Sequence, residues 1–296
     1  MNEAVIECEN LTHFYGKRMI YENLNFTVPK GRIMGLLGKN GTGKTTTINI
    51  LMGYLQPRGG ECRIFGENIL MMSPESRKRI ALLLENHVQY TFMNIEQIEK
   101  YYGAFYPKWN RDAYYELMTK LKVAPKQLIS RMSCGQRSQV ALGLILAQNA
   151  DLLVLDDFSI GLDPGYRRLF IEYLEDYTKA EDKTVFMTSH IIQDLDGLVD
   201  DCIIMDYGKI LLQKPISELK KNFKSFTFEV TDQSKELPND SEFYHPGYVK
   251  GLGEINTFQE AEYVKKVLDD HSIAYTDFKR KTITLEDAFV GLTGKY

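Results

Sequence analysis

The sequence predicts an α/β fold in which helices cover a mostly parallel sheet. Two observations carry this prediction: short apolar runs recur along the chain, and helical patterns alternate with them. Uninterrupted apolar runs are typical of strands that are buried on both faces of a parallel sheet. Ile33–Leu37 is the first such run, and the helical stretch Lys44–Met52 follows it. The later runs are Ile80–Leu84, Leu152–Leu155 and Val185–Thr188.

Three further segments follow other patterns. The first 30 residues indicate short antiparallel strands, and residues 94–147 indicate a helical insertion between two strands of the core sheet. The composition changes near Ser225, since residues 226–296 hold 13 acidic and 8 basic side chains. We therefore expect a larger domain at residues 1–225 and a small α+β accessory domain at 226–296. In the latter, SFTFEV predicts a strand and Phe258–Leu268 a helix.

Composition excludes several classes of protein. With 44% hydrophobic and 26% charged residues, the 296-residue chain has ordinary globular usage. Its net charge of −4 disfavours a nucleic-acid partner, because such proteins usually carry a basic surplus. The longest clean apolar run, Val140–Ala147, is far shorter than the roughly 20 residues of a membrane span, and the N-terminus lacks a secretory signal pattern. Cys8, Cys62, Cys134 and Cys202 form no C-x-x-C pair and predict reduced, cytoplasmic thiols.

A phosphate-binding motif stands between the first apolar run and the helix that follows it. Residues 38–45 read GKNGTGKT, which matches G-x-x-x-x-G-K-[ST] in its strand–loop–helix setting. The glycines let backbone N–H groups turn inward to form an anion nest, and the helix adds its positive N-terminal end. The motif therefore predicts a P-loop NTPase core.

Each position of this loop has an expected role. The Lys44 ammonium is expected to reach the β- and γ-phosphates, the Thr45 hydroxyl to hold Mg²⁺, and Thr46 to contact the α-phosphate. The predicted nucleotide-binding set of the loop is Gly38, Lys39, Asn40, Gly41, Thr42, Gly43, Lys44, Thr45 and Thr46.

Two carboxylates end a later apolar run, LLVLDD at residues 152–157. The carboxyl end of a central strand is where a doubly wound sheet opens its ligand crevice. In a P-loop enzyme the first carboxylate coordinates Mg²⁺, a role that we assign to Asp156. The second, Asp157, is the predicted catalytic residue that orients and activates the attacking water.

With these motifs placed, residues 1–215 resemble the ATP-binding subunit of an ABC transporter, and TLEDAFVGLTG near the C-terminus is also similar to that family. Tyr15, in THFYGKR, resembles the aromatic residue that stacks on the adenine of ATP. Glu85 lies where the family has a glutamine that contacts Mg²⁺ and water and senses the membrane partner. SIGLD, at 159–163, resembles the D-loop. His190, in MTSH, resembles the switch histidine, which implies a catalytic hydrogen bond to the γ-phosphate.

The segment MSCGQ resembles the family signature, usually written LSGGQ. Backbone N–H groups at a helix start, together with a hydroxyl, suit a γ-phosphate. The resemblance implies that this phosphate belongs to ATP on an opposing subunit, so that two chains enclose two ATP molecules head to tail. A homodimer and a heterodimer with another ATP-binding subunit both remain open. The signature residues are Ser133, Cys134, Gly135 and Gln136.

Three positions depart from the family pattern. Asp157 replaces the usual glutamate and is shorter by about 1.5 Å, which predicts slow hydrolysis. Cys134 replaces a signature glycine and adds a side chain where phosphate approaches. Glu85 replaces the glutamine and brings a negative charge near the metal. In addition, FYPKWN at 105–110 resembles a pattern of small bacterial exporter cassettes associated with antimicrobial or amphipathic peptide export or resistance.

These observations favour an ATPase that powers a membrane exporter. The resemblance implies integral membrane subunits on separate chains, closure of a dimer driven by ATP, and a peripheral position on the inner face of the cell membrane. A non-transport ABC ATPase acting on DNA or ribosomes is the second hypothesis, although only 89 residues separate Lys44 from Ser133 and the chain holds one cassette. A regulatory ATP-binding subunit with little turnover is the third, suggested by Asp157 and Cys134.

Overall fold

The computed structural model describes residues 3–84, 90–120, 124–158, 162–181, 183–189, 191–231 and 236–294. In chain order, the elements are β1 (Ala4–Tyr15), β2 (Arg18–Pro29), β3 (Ile33–Gly38), α1 (Lys44–Leu51), β4 (Gly59–Ile64), β5 (Glu67–Asn68), α2 (Pro74–Arg77), β6 (Ile80–Leu83), α3 (Ile95–Gly103), α4 (Arg111–Lys120), α5 (Cys134–Ala147), β7 (Leu152–Leu155), α6 (Pro164–Glu181), β8 (Thr184–Met187), α7 (Ile192–Leu195), β9 (Asp201–Asp206), β10 (Lys209–Pro215), α8 (Ile216–Asn222), β11 (Lys224–Val230), β12 (Phe243–Val249), β13 (Leu252–Thr257), α9 (Ala261–Asp270), β14 (Tyr275–Lys281) and α10 (Leu285–Thr293).

The central sheet has the strand order β10-β9-β3-β8-β7-β6. Every pairing from β9 to β6 is parallel, and only β10 joins its neighbour in the antiparallel sense. All residues of β7 and β8 are buried, as the uninterrupted apolar runs predict for strands covered on both faces. The predicted parallel core is confirmed.

Three parallel strands of this sheet end at the same edge, with β3 running three residues past the ends of β7 and β8. Met187 of β8 lies opposite Gly35 of β3 on one side and Leu155 of β7 on the other. The loop after β3, the acidic pair after β7 and the segment after β8 therefore leave the sheet at the same edge. This edge is where open α/β sheets bind their ligands.

The helical insertion is confirmed between β6 and β7, where α3, α4 and α5 lie. Helix α5 buries ten of its residues, because Val140–Ala147 is apolar on all sides and packs between the sheet and α4. Its Gly143 permits a close approach, since a Cβ there would lie 2.8 Å from the Met118 methyl group and 3.3 Å from the Tyr114 ring. The Tyr114 hydroxyl, buried in this cluster, donates to the Ile95 carbonyl at 3.2 Å.

The N-terminal antiparallel sheet has the order β2-β1-β4-β5 and confirms the predicted antiparallel subdomain. Its first two strands are longer than the short strands predicted, at 12 residues each, because register shifts let β1 continue through irregular positions. Cys8 of β1 faces Cys62 of β4 with the two sulfur atoms 2.9 Å apart, and both thiols are free and buried. Burial raises the pKa of the Cys8 thiol, so that it packs as a small neutral side chain.

A third sheet, with the antiparallel order β12-β13-β11-β14, forms the C-terminal unit. Helix α9 covers one face through Val264 and Leu268, which pack against Phe226 and Phe228 of β11. Helix α10, the last element of the C-terminal unit, packs into the apolar cluster of the ATPase core together with residues of α7 and α8. None of the helices in the described ranges combines the length and apolar character that crossing a bilayer requires.

Candidate active site

The loop at residues 38–45 has a backbone that requires its glycines. Gly41 and Gly43 adopt φ values of +79° and +103°, in the left-handed region that disfavours side chains. A Cβ on Gly43 would lie 2.7 Å from atoms of Tyr21 and Ile20, and one on Gly38 would lie 2.5 Å from the Thr42 hydroxyl oxygen. The loop thus turns tightly before α1 begins at Lys44.

Side-chain hydrogen bonds to two backbone carbonyl groups hold this loop together. The Lys44 ammonium donates to the carbonyl oxygens of Gly38 at 2.8 Å and Lys39 at 3.3 Å. The Thr42 hydroxyl donates to the same Lys39 carbonyl at 2.8 Å. The positive charge of Lys44 therefore lies inside the loop and next to the N-terminus of α1, where both attract phosphate.

A cleft of about 280 Å³ opens over this loop. It brings the aromatic residue predicted to stack on adenine, the phosphate-binding loop and the predicted catalytic carboxylate into one site. Arg18 and Ile20 also line it, although sequence analysis did not select them. The lining residues are Tyr15, Arg18, Ile20, Asn40, Gly41, Gly43, Lys44, Thr45, Thr46 and Asp157.

The Tyr15 ring is available for stacking, since 49% of the residue is exposed. Its hydroxyl lies 3.5 Å from the Thr46 hydroxyl, and the His13 ring packs edge-on against it at 4.8 Å between centroids. Burial lowers the pKa of the His13 imidazole, and the positive charge of Arg58 acts in the same direction. His13 is therefore neutral near pH 7 and supports Tyr15 as an uncharged ring.

Thr188, which follows β8, joins the two carboxylates that follow β7. Its hydroxyl donates to Asp156 Oδ1 at 2.7 Å and accepts from the Asp157 backbone N–H at 2.9 Å. Asp157 itself has a φ of +49°, a conformation that Asp tolerates better than most residues. Thr188 is fully buried and was missed by sequence analysis, because β7 and β8 lie far apart in the chain.

The second oxygen of Asp156, Oδ2, is buried and has no hydrogen-bond partner within the described residues. A buried carboxylate oxygen left in this state is costly unless a cation meets it. Oxygen atoms are the protein ligands that Mg²⁺ prefers, and Thr45 lines the nucleotide cleft together with Asp157, the neighbour of Asp156. The residues present therefore fit the predicted metal site.

The predicted signature residues begin helix α5 and do not line the cleft. The Ser133 hydroxyl accepts from the Gln136 N–H at 3.1 Å, while the Gln136 side chain accepts from the Ser133 N–H at 3.0 Å. Cys134 is exposed and lies in the first turn of the helix with negative φ. The backbone at this position therefore does not require a glycine, and the exposed Cys134 side chain stays at the helix start where phosphate is predicted to approach.

Four other sequence predictions have different outcomes. The side chain of Lys39 is 8% exposed and donates to the carbonyl of Thr293, in the C-terminal unit. Glu85, His190 and the first three residues of the D-loop segment, 159–161, lie outside the described residues.

Together, the P-loop, the buried acidic pair at the edge of a parallel sheet and the aromatic residue over the cleft define an ATPase of the ATP-binding cassette type. Comparison with known proteins agrees with this class. The family model for the ABC transporter matches residues 21–159. A solved structure described as the ATP-binding subunit of an ABC transporter has the same fold, with a TM-score of 0.66, 21% identity, and coverage of 73% of this chain and 92% of that one.

Two curated relatives match nearly the whole chain. The bacitracin transport ATP-binding protein BcrA of Bacillus licheniformis is 30% identical over 98% of each protein. The Nod factor export ATP-binding protein I of Cupriavidus metallidurans is 27% identical over 99% of this chain and 98% of its own length. The chain belongs to the ABC transporter family of ATP-binding subunits, in which ATP hydrolysis is coupled to transport. The transport hypothesis is confirmed over the two alternatives.

Replacing Thr188 tests how the acidic pair is positioned. Thr188→Val keeps the shape of the side chain but removes the hydroxyl that orients Asp156, so we expect kcat for ATP hydrolysis to fall about 10- to 100-fold. Thr188→Ser retains the hydroxyl and is the matched control, with kcat close to that of the wild type. Steady-state ATPase assays over a magnesium titration provide the measurement. Equal kcat for Thr188→Val and the wild type would contradict this role.

Proposed function

We propose that this subunit powers the export of amphipathic antimicrobial peptides through membrane subunits carried on separate chains. The observation that supports this most is the similarity to a protein named for transport of bacitracin, a peptide antibiotic, over 98% of both chains. That similarity extends beyond the cassette core into the C-terminal unit. A second relative is named for export, which supports the same direction of transport.

An apolar cleft beside the helical insertion is the proposed contact for those membrane subunits. It measures about 430 Å³ and lies between the edge strand β6, the end of α1 and the helical insertion. Phe92 and Phe105 of the insertion are 70% and 57% exposed, and Phe105 directly precedes Tyr106, which lines the cleft. Exposed apolar surface of this kind is typical of a protein interface. Residues that line the cleft include Met52, Tyr54, Leu82, Tyr102, Tyr106 and Ile145.

We assign the proposed roles of the residues around the nucleotide cleft from their positions there. Tyr15 stacks on adenine, and the loop amides with Lys44 and Thr46 hold the phosphates. Thr45 and Asp156 would hold Mg²⁺, which would offset the charge of the phosphates when bound. Asp157 orients the water that attacks the γ-phosphate, and we propose that Glu85 and His190 complete the site.

A second subunit completes each site in this proposal. Ser133, Cys134, Gly135 and Gln136 lie outside the chain's own cleft, and their helix start is suited to a phosphate held by another chain. Binding of ATP between two subunits would link closure of the dimer to nucleotide concentration. The subunit would then act at the inner face of the cell membrane, where ATP and the membrane subunits meet.

We expect Asp157 to make hydrolysis slow. Its carboxylate is about 1.5 Å shorter in reach than a glutamate, and misplacement on the order of 1 Å can cost about a hundredfold in rate. Asp157→Glu should therefore raise the single-turnover rate of ATP hydrolysis, while Asp157→Asn should lower it because the amide cannot accept a proton. The rates are measured on protein preloaded with MgATP. A rate for Asp157→Glu at or below that of the wild type would overturn this expectation.

The export proposal is tested in cells that carry the gene. Lys44→Ala should raise sensitivity to bacitracin as much as deletion of the gene does, because both remove the nucleotide-driven step. Lys209→Ala, at an exposed lysine of β10 that does not line the cleft, is the matched control at the same expression level. The minimal inhibitory concentration is the readout. Unchanged bacitracin sensitivity in both the Lys44→Ala strain and the deletion strain would refute peptide export.

A further inference from the structure

We propose that helix α10 of the C-terminal unit positions the phosphate-binding loop through Lys39. Lys39 lies in the loop between Gly38 and Asn40, where the sequence predicts a nucleotide contact. Its side chain instead turns away from the cleft, and its ammonium donates to the carbonyl oxygen of Thr293 at 2.6 Å. Thr293 is the last residue of α10 and is separated from Lys39 by 254 residues. Lys39 is therefore a positioning residue that acts on the loop from outside the cleft.

The contact between Lys39 and α10 is suited to holding a cation. The carbonyl groups at a helix C-terminus carry the negative end of the helix dipole, which favours an ammonium there. Both Lys39 and Thr293 are buried, so water competes little for the hydrogen bond. A charge-assisted hydrogen bond in such surroundings is stronger than a neutral one.

The backbone of Lys39 carries this contact into the catalytic machinery. Its carbonyl oxygen accepts hydrogen bonds from the Thr42 hydroxyl and the Lys44 ammonium. A shift of Lys39 would therefore also move the acceptor that holds Lys44 in the loop. Lys39 therefore links Thr293, at the end of α10, to Lys44, because its ammonium donates to the first and its carbonyl oxygen accepts from the second.

Helix α10 is itself held firmly, so it can serve as a fixed reference. Leu285 and Phe289 are buried in the ATPase core, and the Leu285 N–H donates to Asp196 at 3.2 Å. At its other end, the His245 ring lies 3.3 Å from the Leu292 carbonyl. The Gly294 N–H donates to the Val290 carbonyl at 2.9 Å and closes the last turn.

A loop that is ordered before nucleotide arrives loses less entropy on binding, so anchoring should strengthen nucleotide affinity. By linkage, bound nucleotide should stabilise the docking of α10 to the same extent. The C-terminal unit would then raise the affinity of the loop for nucleotide. This inference rests on nucleotide binding at the loop, and the experiment below separates the two.

The test compares the full-length wild type with Lys39→Met, Lys39→Arg, Gly294→Ala and the double variant Lys39→Met with Gly294→Ala. Gly294 has a φ of +75°, and a Cβ there would lie 3.0 Å from the His245 ring, so alanine should displace the end of α10 while leaving the Lys39 charge in place. Lys209→Met is the control for loss of a positive charge. MgATP affinity is measured by equilibrium titration and turnover by steady-state assay.

We expect Lys39→Met to weaken MgATP binding about tenfold, as loss of one charge-assisted hydrogen bond predicts. KM for MgATP should rise together with the dissociation constant, because the anchor orders the loop before the nucleotide binds. Lys39→Arg should recover most of the affinity. Gly294→Ala should weaken binding as well, and the double variant should be no weaker than Lys39→Met alone.

Hydrogen exchange provides a second measurement that does not depend on Gly294→Ala folding. MgATP should protect the amides of α10 in the wild type but not in Lys39→Met. Equal affinity of Lys39→Met and the wild type, additive losses in the double variant, or the same protection of α10 in both proteins would overturn the inference. If the wild type itself fails to bind MgATP, the assigned nucleotide function fails instead.

Discussion

The parallel pairing of β3, β8 and β7 determines where the nucleotide site forms. Met187 of the middle strand pairs with Gly35 on one side and Leu155 on the other, and β3 continues three residues further in the same direction to Gly38. A phosphate-binding loop, a buried hydroxyl and two carboxylates therefore leave the sheet at one edge. The two antiparallel sheets are separate from the central sheet, in which β3, β8 and β7 stay neighbours.

Local sequence was enough to predict the parts of the fold and site that depend on local chemistry. A few neighbouring residues were enough to predict the role of the loop glycines, of the lysine at the helix start and of the acids that follow β7. Thr188 could not be predicted this way, because its partners Asp156 and Asp157 come from another strand. Lys39 and Thr293 are 254 positions apart in the sequence, so no local sequence pattern indicates their contact. The domain boundary after residue 225 stays a prediction, although β11 begins beside it at Lys224.

The predicted site residues of a single chain do not all meet in one cleft. Tyr15, the loop and Asp157 meet in the nucleotide cleft, whereas the signature residues begin a helix outside it. In the proposed two-subunit arrangement, binding of ATP would be coupled to the assembly of two subunits. The C-terminal unit adds a second link, since α10 packs into the ATPase core and also contacts the loop that holds the phosphates.

The central claim is that the loop at residues 38–45 binds the triphosphate of ATP and that Lys44 supplies the decisive charge. Isothermal titration of MgATP into the wild type, Lys44→Ala and the control Lys209→Ala tests it most directly. We expect the wild type and the control to bind MgATP, and Lys44→Ala to bind it at least about tenfold more weakly. Equal affinities in all three proteins, or no binding by the wild type, would contradict it.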